Sequence, residues 1–212
     1  MVDSQSAKRQ HIVVAITGAS GSRFGLRTVS VLLQVGLRVS MLISPSGLKV
    51  LQYETGNAWS SNPSELISIL RSYFQSDSLD YFAHDDLFAS IASGSSAPDA
   101  MVVVPCSMGT VGRIAAGLSG NLIERVADVM LKERRQLVLV PRETPLNTIH
   151  LENLLRLAQA GAQILPAMPG YYQRPESLAD LDDFMAGKIL DSLHLEHQLF
   201  RRWGTAVQEL ES

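Results

Sequence analysis

Short, nearly continuous apolar runs recur along the chain: IVVAIT at 12–17, VSMLIS at 39–44, MVVVP at 101–105 and QLVLVP at 136–141, with a weaker one, AQILP, at 162–166. They are rich in branched residues and lack polar alternation, the pattern of strands buried on both faces. Between them the period changes to that of a helix. Phe24, Leu26, Val29, Leu32 and Leu33 share a helical face within 22–35, and Asn62 and Pro63 supply a cap and a first-turn residue for 63–75. Helices are also predicted over 121–134, 147–160 and 177–194. Strand alternating with helix implies a doubly wound, Rossmann-like parallel sheet in a three-layer α/β/α arrangement. There is no internal repeat, and SGSSAPD (93–99) reads as a loop. The expected organisation is a loosely ordered N-terminus over 1–11 and a single domain over 12–212, ending in a helix and tail.

In such a sheet, ligands bind outside the carboxyl ends of the strands. The turns expected there read TGASGS (17–22), SPSG (44–47), PCSMGT (105–110) and PRETP (141–145). Three offer glycines and hydroxyls; the fourth sets Arg142 and Glu143 between two prolines, so a charged pair should face a crevice lined by small polar groups. In the first turn Gly18 and Gly21 permit tight bends, and amides at a helix start can hold a phosphate. The spacing is not G-x-G-x-x-G. The second strand ends in Ser44, where a dinucleotide site places an acid for the ribose. NAD is therefore disfavoured, and a mononucleotide or phosphate ester fits better.

Composition narrows the partners. The formal net charge is −3, which argues against a general nucleic-acid binder. The single cysteine, Cys106, excludes an internal disulfide and reads as a small buried residue. No cysteine or histidine cluster suggests a metal. The polar start and the short first apolar run predict neither a signal nor a membrane helix, so a cytoplasmic protein is expected. Arg125, Asp128 and Lys132 fall on one helical face and would ordinarily form a solvated ion-pair stripe, but their helix feeds the strand that ends at Arg142. Glu54 follows a short helix after the second strand, and a glutamate before Thr-Gly is ordinarily exposed. His150 reads as a cap or packing residue.

Taken together, ITGASGS, SPSGLKVLQYETG and the run from IASGSS to PAMPGYY, with LKERRQLVLVPRETPL at its centre, resemble the flavin prenyltransferases, the UbiX type related to the Pad proteins. The likeness spans residues 12 to about 194 and is weak over 57–90. It implies that reduced FMN takes a dimethylallyl group from dimethylallyl phosphate, first at N5 and then at C6. It also implies that the prenylated FMN serves a UbiD-type decarboxylase of ubiquinone-type pathways and that no metal takes part. It implies FMN contacts at Gly18, Ala19 and Ser20, at Ser44, at Ser107, Met108, Gly109 and Thr110, and at Arg142. It assigns Arg125, Lys132, Arg142, Glu143, Tyr172 and Lys188 to the prenyl phosphate. Ser20, Glu54, Lys132 and Glu143 are assigned to catalysis. Lys188 stands where the family often carries arginine, which removes a two-pronged hydrogen bond. The resemblance also implies a homododecamer with sites at subunit contacts, and a role for Trp203 in the tail.

Cations at an allylic phosphate stabilise the departing anion, and the Tyr172 ring face can attract an allyl cation. Glu54 is the candidate for proton transfer at the flavin. Two other readings remain: an FMN-carrying module without catalysis, and a flavin-dependent decarboxylase of the same fold. The donor, monophosphate or diphosphate, stays open.

Overall fold

The computed structural model describes residues 10–202. Six parallel strands form one sheet: β1 (His11–Ile16), β2 (Arg38–Ile43), β3 (Leu79–Phe82), β4 (Ala100–Cys106), β5 (Gln136–Pro141) and β6 (Gln163–Ile164). Their order is β3-β2-β1-β4-β5-β6. The helices among the described residues are α1 (Ser22–Gln34), α2 (Pro45–Thr55), α3 (Pro63–Phe74), α4 (Met108–Ala115), α5 (Leu122–Lys132), α6 (Thr148–Gln159) and α7 (Leu178–Ser192). The doubly wound sheet expected from the apolar runs is present, and the predicted helices match to within one or two residues at each end. His11, placed by the sequence reading in the loose N-terminal segment, is the first residue of β1. β3 was not anticipated; it lies in the weakly patterned stretch 57–90.

Side chains alternate between the faces of each strand, so each central strand feeds two cores. Ile12, Val14 and Ile16 of β1 pack with Leu26, Val29 and Leu32 of α1, Leu66 of α3 and Ile189 of α7. Val13 and Ala15 point the other way, toward Val111 of α4, Val126 and Met130 of α5 and Leu157 of α6. Nearly all these side chains are fully buried, and burial of each one larger than alanine is worth about 1.5–3 kcal/mol. Asn62, Asn121 and Ser177 each accept a hydrogen bond from a first-turn N–H of their helix. His150 completes a capping box with Asn147 at the start of α6, as read from the sequence.

The strand order reverses between β1 and β4, the topological switch point at which ligands of doubly wound sheets bind. Each helix that precedes a strand runs back to the amino edge of the sheet, and each that follows one starts at the carboxyl edge. That polarity decides which side chains one copy of the chain can bring together.

Candidate functional site

Thr17 fastens the switch point. Its buried hydroxyl donates to the Pro105 carbonyl at 2.9 Å and accepts from the Ser107 N–H at 2.8 Å, joining the turns after β1 and β4. Thr17 carries no role in the pattern of the sequence. The available signal was a hydroxyl at the last position of a buried strand, where only a partner from another turn can satisfy it.

Gly18 lies against α2, where a Cβ would come within 2.6 Å of Ser46 Oγ. Ala19 is buried and Ser20 exposed. Gly21, at φ 105°, turns the chain into α1. The amides here do not await a phosphate. The Glu54 carboxylate accepts from Gly21 N–H at 2.9 Å and from Ser22 N–H at 2.8 Å, so an acid from the end of α2 caps α1. Neither serine supplies that cap. Burial pushes the Glu54 carboxyl up, but hydrogen bonds from the Ser20 hydroxyl and from the Gly21 and Ser22 N–H groups outweigh it and hold the group below its ordinary value. Glu54 is thus an anion anchored beside Ser20 rather than the exposed glutamate its sequence context suggested.

Ser44 caps α2 by accepting from Gly47 N–H at 3.0 Å, and its hydroxyl lies 3.2 Å from that of Ser46. At the next turn Ser107 caps α4, accepting from Thr110 N–H at 3.3 Å, with the two hydroxyls 3.0 Å apart. Capping uses the Thr110 N–H and leaves those of Met108 and Gly109 at the helix mouth. A Cβ at Gly109 would meet nothing within 4 Å, so a ligand has room to approach this backbone. Small residues, hydroxyls and open helix-start amides along one crevice suit the polar groups and phosphate of a mononucleotide. Cys106 is fully buried and burial pushes its thiol up, as befits a small packing residue rather than an exposed nucleophile.

The fourth turn closes the row. Arg142 N–H donates to the Cys106 carbonyl at 3.2 Å, so the PRETP turn stands beside PCSMGT. The residues at 142–149 are all exposed, and among the described residues Glu143 accepts a local bond, from Thr144 N–H at 3.0 Å. Tyr172 follows β6 at the same edge, half exposed, with its ring edge-on to Phe184 at 5.8 Å. Lys188 lies on α7, 3.6 Å from Asp191. A cleft of about 730 Å³ opens on the outer side of α1 with Glu54 in its wall, but its cations Arg23 and Arg27 are paired with Asp182 and Asp183.

One chain does not assemble the whole predicted set. Arg125 sits in the first turn of α5, 3.6 Å from Asp128, while Lys132 closes that helix and pairs with Glu133 at 2.5 Å. The chain then turns directly into β5, so Lys132 is at the amino edge of the sheet. A Cβ on Gly94, in the loop before β4, would lie 2.8 Å from its Nζ. It is therefore about 15 Å, the length of α5, from the edge that carries Ser20 and Arg142. The expected shared face of Arg125 and Lys132 exists, but one copy cannot bring Lys132 to the crevice. Trp203 lies outside the described residues.

Among the described residues no cluster suited to a metal ion occurs, and no helix is long and apolar enough to cross a membrane. Comparison with known proteins agrees with the geometry. Residues 2–199 match the Flavoprotein family. The flavin prenyltransferase UbiX of Halalkalibacterium halodurans is 49% identical over 193 residues, covering 90% of this chain and 92% of that protein. That of Pseudomonas aeruginosa is 47% identical over 197 residues, covering 92% and 94%. Among solved structures, AnUbiX (PadA1), in complex with FMN and dimethylallyl pyrophosphate, superposes with a TM-score of 0.83 at 40% identity, covering 93% of this chain and 98% of that one. A dodecameric FMN-dependent UbiX-like decarboxylase from Escherichia coli O157:H7 superposes at 0.82 with 36% identity, covering 92% and 99%. The chain is therefore a flavoprotein of the UbiX flavin prenyltransferase family.

Proposed function

We propose that the protein transfers the dimethylallyl group of dimethylallyl phosphate to N5 and C6 of reduced FMN, and that the prenylated FMN is passed to a UbiD-type decarboxylase. The observation that carries this reading is the meeting, along one strand-end edge, of three glycine–hydroxyl turns with the exposed Arg142–Glu143 turn. The solved relative that contains FMN and dimethylallyl pyrophosphate supports the same pairing of ligands.

In this reading Gly18, Ala19, Ser20, Ser44 and the 107–110 turn hold FMN, with Arg142 between flavin and prenyl phosphate. Reduced flavin supplies the nucleophilic N5 and C6. Arg125, Arg142, Lys188 and Lys132 surround the leaving phosphate, and donors of this kind are each worth about 2.7–4 kcal/mol in a transition state. Tyr172 presents its ring and hydroxyl to the allyl group. Glu54, ionised and anchored at the Ser20 turn, is placed to accept a proton, and Glu143 orients the cations beside it. Lys132 reaches this edge from a neighbouring copy. The exposed Phe88, Ile149, Leu155 and Met168 give the chain apolar surface for such contacts, and the dodecameric relative supports an assembly of this kind.

Anaerobic incubation with reduced FMN and dimethylallyl phosphate, read by mass spectrometry of the released flavin, tests the reading. A flavin heavier by one isoprene unit is expected. Unchanged flavin would leave the FMN-carrying module, and loss of carbon dioxide from an aromatic acid without a partner enzyme would favour the decarboxylase.

A further inference from the structure

The chain does not end at α7. After Ser192 it reverses and lays residues 194–202 back along that helix toward the carboxyl edge of the sheet. One stripe of α7, Phe184, Gly187, Lys188 and Asp191, receives it. Gly187 is the seat: a Cβ there would stand 2.5 Å from Phe200 and 2.7 Å from His197. Phe200 stacks on Phe184 at 5.1 Å, and Phe184 carries Tyr172. Gln173, next to Tyr172, donates to the Arg201 carbonyl at 2.6 Å. The returning segment thus touches both helix and turn that bear two of the proposed prenyl-phosphate ligands.

Asp191 gathers the polar contacts of this strap. Arg202 grips its carboxylate with both terminal nitrogens, at 2.8 and 2.7 Å. His197, its side chain almost fully buried, reaches the carboxylate at 3.1 Å. Lys188 is the loosest partner, at 3.6 Å. A two-pronged guanidinium contact is far stronger than a single ammonium contact at that distance. A phosphate arriving at the site can therefore draw Lys188 off while Arg202 and His197 keep their hold.

We propose that Asp191 is a positioning residue of the transfer reaction: by seating the 194–202 strap on α7 it fixes where Tyr172 and Lys188 stand for the phosphate of the prenyl donor. Asp191 itself touches neither substrate, and the inference rests on the function proposed above.

The test compares Asp191→Asn, Asp191→Glu and Gly187→Ala with the wild-type chain. Each is measured for FMN affinity, for kcat and KM with dimethylallyl phosphate, and for amide hydrogen exchange over 194–202. Asp191→Asn is expected to speed exchange in that segment and to raise KM for the donor about tenfold, with kcat and FMN affinity changed less than about threefold, as displacement of binding groups by a fraction of an ångström does. Asp191→Glu, which keeps the charge, should recover most of the loss. Gly187→Ala unseats the strap without altering any charge and should reproduce the rise in KM; it decides the matter if Asp191→Asn does not fold. Faster exchange with an unchanged KM would overturn the proposal, as would unchanged exchange. A wild-type chain that yields no prenylated flavin would instead overturn the proposed function, and this inference with it.

Discussion

The two acids assigned to catalysis stand in opposite surroundings. Glu54 is held by main-chain donors of the Ser20 turn and is complete within one chain. Glu143 sits on an exposed turn, with a local hydrogen bond from Thr144 N–H, beside an exposed arginine. The first region is a finished part, preorganised before any ligand arrives. The second is an open turn, and Lys132, the cation proposed to join it, lies at the far edge of the sheet. On the proposed function, the fold prepares the flavin side of the reaction internally and leaves the leaving-group side to assembly.

The largest effect that sharpens this contrast comes from Lys132→Ala. Turnover with dimethylallyl phosphate should fall about 10²–10³-fold, the cost of one preorganised donor, while FMN affinity is unchanged. A collapse of FMN binding would break the division into two halves. Mixing offers a stricter form. Lys132→Ala and Glu54→Gln chains, each nearly inactive, should recover activity when dissociated and reassembled together. If neighbouring copies share each site, about a quarter of sites in an equal random mixture are intact. No recovery would show that Lys132 of a neighbouring copy does not complete the site.

Glu54→Gln should retain FMN yet slow turnover about 10²-fold, at the low end for a lost proton-transfer group. Retention of full turnover would reduce Glu54 to a helix cap. Its ionisation also has a stability consequence. The folded group lies below its unfolded value of 4.5, so its contribution is fully present above that pH and is lost as the pH falls through the folded value. Below pH 4.5 the wild-type chain should therefore lose stability more steeply than Glu54→Gln in denaturant titrations.

How much of this could be read from the sequence differs by scale. The strands β1, β2, β4 and β5 are apolar on both faces, so composition alone marks them. β3 was missed because LDYF is a short edge strand in which only Leu79 is fully buried and Asp80 faces outward to Arg38. The crevice followed from the rule about strand ends. The grip of Glu54 on a turn 33 residues earlier did not, because nothing local distinguishes a capping glutamate from a solvated one. The place of Lys132 was legible and was overlooked. A helix that leads into a parallel strand must finish at the amino edge, and Lys132 lies only a few residues before β5.

The smallest expected effect concerns the fastening at the switch point. Thr17→Val keeps the shape and removes the hydroxyl that serves both Pro105 and Ser107. The Pro105 carbonyl still receives the Thr17 N–H at 3.1 Å, so the group left without its partner is the Ser107 N–H. The loss should be about 1–3 kcal/mol in chemical denaturation, the cost of one buried group left unsatisfied. Because Ser107 opens α4, the slackened turn should also weaken FMN binding modestly, whereas Lys132→Ala should not. A variant with unchanged FMN affinity and reduced stability would show that Thr17 serves the fold alone. One with both reduced would place the fastening of β1 to β4 in the flavin half of the site, complete within a single chain.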